Sequence, residues 1–442
     1  MLKISAKKLS QILNGTLYGD DGNFTGVAID TRELSGEEVF FALRGEKTDG
    51  HNYITPTMNG QLAIVEKPVD FHRYIIVQDT LKALGDLASF YRSQFQPLVF
   101  GITGSNGKTT TKEMLNAILG TTDSVLATQG NFNNEIGMPL TLFQLTEAHK
   151  YLVLEMGMRG RGQIEYLAHI AKPHLGIITY IGEVHTELLG NRDNIAKAKG
   201  ELLLALPKEG VSIIPRESEY YEYLKGLHKN SLSFGISGDV YAENISFNEA
   251  NCASFLFCYK KEKIPISLSL PGKHNINNAL AAGAAAICAG ISLDNISLGL
   301  ETTLNLAQRM AEIRKGSLII IDDTYNASPT SMKAALNHLV ARAKNLGLDA
   351  YAALGDMKEL GDDSKGYHRE IGELAAQLNL KELYLYGKEM EEAAKSAREH
   401  GLEAVVCSSH QEIATKVSSL KGILLLKGSR SQEMEKVITY LA

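Results

Sequence analysis

The chain has 442 residues, 44 % of them apolar and 22 % charged. At roughly 150 residues per domain this length implies about three domains and more than one hydrophobic core, and the composition excludes a disordered, collagenous or fibrous protein. Its 45 basic and 51 acidic side chains leave a formal charge of −6, so no global field favours nucleic acid or an anionic membrane, and any bound anion must be held by local devices.

The four cysteines (Cys252, Cys258, Cys288, Cys407) stand in apolar surroundings at spacings that fit neither a zinc knuckle nor a redox pair. Free thiols in a reducing compartment are expected. The start, Met1-Leu2-Lys3-Ile4, carries no apolar core of a secretion signal, and no run approaches the roughly 18 apolar residues of a membrane span. A cytoplasmic chain is the expectation.

In chain order, short apolar runs at 24–29, 38–43, 61–65 and 73–77 are separated by Gly and Asp. They predict a small α/β module over 1–78. Leu81, Leu84, Leu87, Ala88 and Tyr91 recur at helical spacing and predict a connecting helix within 79–96. A clear strand follows at 98–103, and strands at 151–154, 175–181 and 211–214 alternate with helices. The pattern shifts at 253–259 and 264–270 to short alternating strands, which predict an antiparallel extension. A second alternating block has strands at 318–321, 350–354, 382–386, 404–407 and 423–426. Strand–helix alternation with right-handed crossovers implies mostly parallel sheets. The expected units are 97–308 and 309–442.

Gly101-Ile102-Thr103-Gly104-Ser105-Asn106-Gly107-Lys108-Thr109-Thr110 joins the strand at 98–103 to a helix burying Met114, Leu115, Ile118 and Leu119. Small residues let backbone N–H groups turn inward around a phosphate, and the helix N-terminus adds a favourable dipole. Gly104, Ser105, Asn106, Gly107, Lys108, Thr109 and Thr110 are thus candidate nucleotide contacts. Lys108 would neutralise phosphate charge and the Thr109 hydroxyl would ligate Mg²⁺. The usual spacing wants Gly where Ile102 stands, so the loop is a variant. The fold class is therefore α/β in three domains: a small α/β N-terminal domain, a central P-loop mononucleotide-binding domain with a mostly parallel sheet, and a Rossmann-like C-terminal domain.

Three further residues suit that site. Glu155 ends the apolar strand at 151–154, where an open parallel sheet faces its ligand. His185 lies just beyond the end of the strand at 175–181. In the helix predicted over 193–206, Lys199 shares the apolar stripe of Ile195, Leu202 and Leu206, whereas Lys197 and Glu201 point elsewhere. A lysine on a buried face snorkels, pairs, or is chemically altered; CO₂ would turn its amine into an anionic carbamate.

These motifs together resemble the Mur ligase family of ATP-dependent amino-acid ligases, along essentially the whole chain. The resemblance adds Asn131-Phe132-Asn133-Asn134-Glu135, Glu183-Val184-His185, Ala196-Lys197-Ala198-Lys199-Gly200-Glu201 and Gly272-Lys273-His274-Asn275. It implies ATP and two Mg²⁺ ions, one on Thr109 and Glu155, the other on His185 and a carbamate carried by Lys199. It implies catalytic roles for Lys108, Lys199, His185 and Glu155. Asn275 matches an adenine contact, Arg309 a phosphate contact and Asp323 a ribose contact. The motifs at 322–329, 354–361 and 427–435 resemble the branch of the family that adds D-alanyl-D-alanine to UDP-N-acetylmuramoyl-tripeptide. These two substrates are the expected partners of a monomer that binds no nucleic acid. Thr31 and Arg32 fit the family's UDP-substrate domain, Asn134 is a further expected substrate contact, and Asn326 and Ala327 match contacts to the dipeptide. The turn carrying Ser429 and Arg430, between a strand and a helix, would receive the dipeptide carboxylate. A related amide ligase with another substrate, such as a folylpolyglutamate synthetase, and a P-loop regulatory ATPase are the alternatives. Tyr180 where Asn is usual, Thr324 for a common Ser, and Ile214-Pro215-Arg216-Glu217 in place of an Asn-x-Asp turn depart from the family pattern.

Overall fold

The computed structural model describes residues 3–45, 47–183, 186–303 and 308–441. His185, and residues 304–307 next to the expected boundary at 308, lie outside the described residues. Among those described, sheets of two and five strands occupy the first 76 residues, nine strands run between Leu98 and Pro271, and six between Ala311 and Lys427.

The run at 24–29 is not one strand. Gly26, at φ +103°, turns the chain in its middle. Asn23–Thr25 pairs with Lys3–Ser5 in a separate ribbon, and Val27–Ala28 forms an edge of the five-stranded sheet. The helix Thr80–Arg92 then serves two cores. Asp79 caps it by accepting the Lys82 N–H, Leu84 and Leu87 pack with Phe41 and Ile75, and Ala88 and Tyr91 pack with Leu145 and Leu167.

In the central sheet the strand Leu98–Thr103 lies between Tyr151–Glu155 on one side and Leu175–Ile178 on the other, all parallel. From this strand the chain runs on to one side of the sheet, and from its neighbour Leu175–Ile178 to the other. That makes the C-terminal end of Leu98–Thr103 the crevice of the open sheet, where ligands bind. The strand predicted over 175–181 stops at Ile178, leaving Thr179 and Tyr180 in the crevice loop. Val240–Phe247, Cys252–Tyr259 and Glu262–Pro271 form the antiparallel extension. Phe255 and Phe257 from it pack with Ile276 and Ala281 of the helix His274–Cys288.

The C-terminal sheet has the order Ala311–Lys315, Leu318–Asp323, Gly422–Lys427, Ala350–Gly355, Glu382–Tyr386, Ala404–Cys407. Its first strand is antiparallel and half-exposed, and sequence periodicity missed it. The last strand of the chain inserts beside the second, which places Lys427 opposite Asp323.

Candidate active site

The helix Lys108–Gly120 starts without a side-chain cap, so its first N–H groups remain free for an anion. The loop before it needs its glycines. Gly107 holds φ +84°, and a Cβ there would stand 2.4 Å from Asn278 Oδ1. A Cβ on Gly104 would stand 1.9 Å from Thr179 Oγ1, so Gly104 shapes the loop from beneath while Ser105 to Thr110 line the cleft. Ser105 Oγ donates to the Gly182 carbonyl at 3.0 Å and accepts the Gly182 N–H at 2.9 Å, fastening the neighbouring loop. Thr179 Oγ1 donates to the Asn106 carbonyl at 2.6 Å.

Lys108 Nζ donates to the Gly104 carbonyl at 2.7 Å. Burial holds its pKa below the usual lysine value, with Glu155 opposing and Arg309 reinforcing that shift. Thr109 Oγ1 donates to Glu155 Oε2 at 2.8 Å, so the two residues expected to share one cation touch. Glu155 is 2 % exposed. Its other oxygen accepts from Asn133 Nδ2 at 2.8 Å, and its N–H donates to Thr128 Oγ1 at 3.0 Å. This pair of oriented oxygens beside a phosphate loop fits a hard divalent cation, whose remaining ligands would come from phosphate and water.

Lys199 is 1 % exposed and lines the same cleft. Burial, and then the charge of Lys108, drive its pKa well below the usual value, which favours the neutral, nucleophilic amine. That fits an amine that takes up CO₂. Lys197 on the same helix, Arg192–Leu204, is exposed. Glu201 turns away and accepts the N–H groups of Gly162 and Glu165 at 2.8 and 3.2 Å, tying down the helix Gln163–Ala171.

The C-terminal domain closes the cleft, whose volume is about 1300 Å³. Arg309 Nη2 donates to Thr109 Oγ1 at 2.9 Å while its guanidinium lies 4.0 Å over the Tyr325 ring. Ser328 Oγ donates to Asn106 Oδ1 at 3.3 Å. Asp323 is ion-paired with the buried Lys427, which also donates to the Asn326 carbonyl at 2.8 Å. Asn275 forms part of the opposite wall. Its Nδ2 donates to the Pro271 carbonyl and its Oδ1 accepts from Asn278 Nδ2, both at 2.8 Å.

Other expected residues are placed differently. Thr31 and Arg32 form a short turn in the N-terminal domain, outside the cleft, and exposed Arg32 donates through Nε to Asp30 at 2.9 Å. Asn134 lines the cleft, but its Oδ1 accepts the Ile136 and Gly137 N–H groups at 3.2 and 2.8 Å and so starts the helix Gly137–Leu142. Asn326 and Ala327 line the cleft, with Asn326 Oδ1 accepting the Ala327 N–H at 2.9 Å. The turn at Ser429 and Arg430 leads first into a 3-10 turn, Arg430–Gln432, and the expected helix follows at Lys436–Tyr440. There the Ser429 N–H is already bonded to the Asp356 carbonyl and Arg430 is ion-paired with Glu435 at 2.7 Å. That turn therefore offers fewer free donors than the sequence implied.

Thr128, Tyr325, Ser328 and Lys427 escaped sequence reasoning as site residues, as did the orienting role of Asn133. Each acts across elements distant in the chain, and sequence spacing along one element gives no signal for such a contact. The departures are accommodated. Tyr180 meets Ser105 through its backbone carbonyl at 2.7 Å, and Arg216 stacks 4.1 Å over Tyr221. All four cysteines are free. No described helix is long and apolar enough to cross a membrane.

Comparison with known proteins gives a consistent result. The family description "Mur ligase middle domain" matches residues 102–286, and "Mur ligase, glutamate ligase domain" matches 308–430. The UDP-N-acetylmuramoyl-tripeptide–D-alanyl-D-alanine ligases of Bacillus subtilis and Haemophilus influenzae are each 36 % identical, covering 99 % of this chain and 98 % of theirs. A crystal structure of MurF from Acinetobacter baumannii superposes with a TM-score of 0.93 at 33 % identity, covering 100 % of this chain and 99 % of that one. MurF ligase from Thermotoga maritima in complex with ADP gives 0.83 at 28 %, covering 94 % and 96 %.

Proposed function

The chain belongs to the Mur ligase family, and on that premise we propose that it joins D-alanyl-D-alanine to UDP-N-acetylmuramoyl-tripeptide at the expense of ATP. It is an ATP-dependent amide-bond-forming ligase of peptidoglycan precursor synthesis. The observation that carries the reading is Arg309 of the C-terminal domain bonded to Thr109 of the phosphate loop, because ligation requires two domains to meet around one triphosphate.

A carboxylate resists amine attack at neutral pH, so it must first be activated. The tripeptide carboxylate attacks the γ-phosphorus of ATP, giving an acyl phosphate and releasing ADP. The dipeptide amine then attacks the acyl carbon. The tetrahedral oxyanion collapses, the C–O bond to phosphate breaks, and the amine proton leaves to solvent or phosphate. The free N–H groups of the loop hold the triphosphate, and Lys108 exchanges its loop carbonyls for phosphate oxygens. Arg309 faces the developing phosphate charge, and Asn133 and Thr128 orient Glu155. Closure by the C-terminal domain keeps water from the acyl phosphate.

Thr109 and Glu155 would hold one Mg²⁺, and His185 with carbamylated Lys199 a second. Such ions supply charge neutralisation for the phosphates and carboxylates that gather here. The carbamate forms as the neutral amine adds to CO₂ with loss of one proton. Asn275 and Asp323 would contact adenine and ribose, Thr31, Arg32 and Asn134 the UDP substrate, and Asn326, Ala327, Ser429 and Arg430 the dipeptide. We place the boundaries at 1–78, 79–96, 97–308 and 309–442, and the enzyme in the cytoplasm as a monomer. Phosphate release by the purified protein should require both UDP-tripeptide and D-alanyl-D-alanine. Turnover with a folate and glutamate instead would overturn this assignment.

A further inference from the structure

The helix Pro329–Leu346 belongs to the C-terminal sheet's layer, yet it meets the central domain at two separate places. At its start Ser328 Oγ reaches Asn106 in the phosphate loop. Further along, it grips the tip between the strands Val240–Phe247 and Cys252–Tyr259. Asn251 Nδ2 donates to His338 Nδ1 at 2.8 Å. Arg342 Nη1 and Asn345 Nδ2 donate to the Glu249 carbonyl at 2.7 and 3.3 Å. The other face of the Arg342 guanidinium is held by Glu312 at 2.7 and 3.1 Å, so it is fixed from its own domain.

The imidazole accepts at Nδ1, which requires its neutral form. Burial pushes His338 down to about 4, so it is neutral at working pH. The ring is 4 % exposed and its Nε2 has no partner among the described residues. The Asn251 bond is therefore the ring's polar anchor.

The tip leads straight to the nucleotide cleft. The Asn251 carbonyl accepts the Gly272 N–H at 2.9 Å. Gly272, at φ +104°, turns the chain into the helix His274–Cys288, whose first residues His274 and Asn275 line the cleft. Asp323, on the facing wall, ends the strand that precedes Pro329–Leu346. Ser328 and His338 stand about 15 Å apart along the helix axis at the usual rise per residue. While both contacts are made, the helix cannot pivot about the Asn106 contact.

We propose that Asn251 and His338 are a positioning pair whose hydrogen bond sets the spacing between the two walls of the cleft, and so tunes nucleotide affinity without touching the nucleotide. This rests on the reading of the cleft as the ATP site. Asn251 stands at φ +61°, which glycine adopts without strain, so Asn251→Gly removes the amide and leaves the tip intact. Calorimetric titration with ADP should show about a fivefold to tenfold weaker Kd in Asn251→Gly and His338→Leu. His338→Gln, whose side-chain oxygen can accept the Asn251 amide, should bind as the parent does. A merely structural contact would lower the melting temperature and leave Kd unchanged. Unchanged ADP affinity in both disruptive variants, or His338→Gln as weak as His338→Leu, would overturn the proposal; if Asn251→Gly fails to fold, the two His338 variants decide alone. The titration needs no ligation. A parent enzyme that binds ADP but shows no dipeptide-dependent turnover would defeat the functional reading and leave this test standing.

Discussion

Lys199 concentrates the chemistry of the site at the scale of one residue. A fully buried amine with a depressed pKa binds fewer protons in the folded than in the unfolded chain, so stability rises with pH from its folded pKa towards 10.5. In CO₂-free buffer Lys199→Met should therefore stabilise the protein below the unfolded lysine pKa, a gain that fades as the pH approaches that value, as thermal melts would show. The same substitution should abolish ligation. Lys199→Ala should be partly rescued by a small carboxylate such as acetate, and the parent enzyme should show a carbamate carbon signal after ¹³C-bicarbonate labelling. Full activity of either variant without rescue would exclude the carbamate. Glu155 differs in kind, because its two oxygens are already oriented by Thr109 and Asn133. Glu155→Gln should keep the fold and lower kcat by about a hundredfold; a loss confined to KM would assign Glu155 to binding alone.

Between elements, shape complementarity is local and testable. The helix Thr80–Arg92 crosses Gln163–Ala171 at Gly85, where an added Cβ would lie 2.2 Å from Tyr166 Oη. That hydroxyl is buried with no partner among the described residues, and burial pushes its pKa up to about 12. Tyr166→Phe should thus be neutral or stabilising by up to about 1 kcal/mol. Gly85→Ala should destabilise by about 2–3 kcal/mol in the parent and measurably less when combined with Tyr166→Phe. Equal losses with and without Tyr166→Phe, measured by denaturant melts, would contradict the contact. The periodicity that predicted both the connecting helix and the Lys199 helix reads only one face of one element. It carries no information about which glycine meets which hydroxyl.

Across the whole molecule, the central and C-terminal domains meet through polar contacts, among them Arg309 with Thr109, Ser328 with Asn106 and Asn251 with His338. Polar contacts can be exchanged for water, and ligands that bridge both walls should shift the ensemble towards the closed form. Small-angle scattering should show a smaller radius of gyration once an ATP analogue and both substrates are bound. An identical profile would rule out closure. Arg309→Ala should weaken nucleotide binding about tenfold and reduce the contraction.

The linear order of residues determined the strand–helix alternation, the phosphate loop with its lysine, the acid at the end of Tyr151–Glu155 and the lysine on an apolar face, because each is written in spacing along one element. It also carried the family resemblance. The break of the chain at Gly26, the edge strand Ala311–Lys315 and the 3-10 turn after Ser429 were settled by pairing and loop geometry. The meeting of Thr109 with Glu155 and Arg309, and of Asp323 with Lys427, depends on strand insertion and domain docking. Those contacts join residues far apart in the chain, and no periodicity within a segment encodes the packing that brings them together.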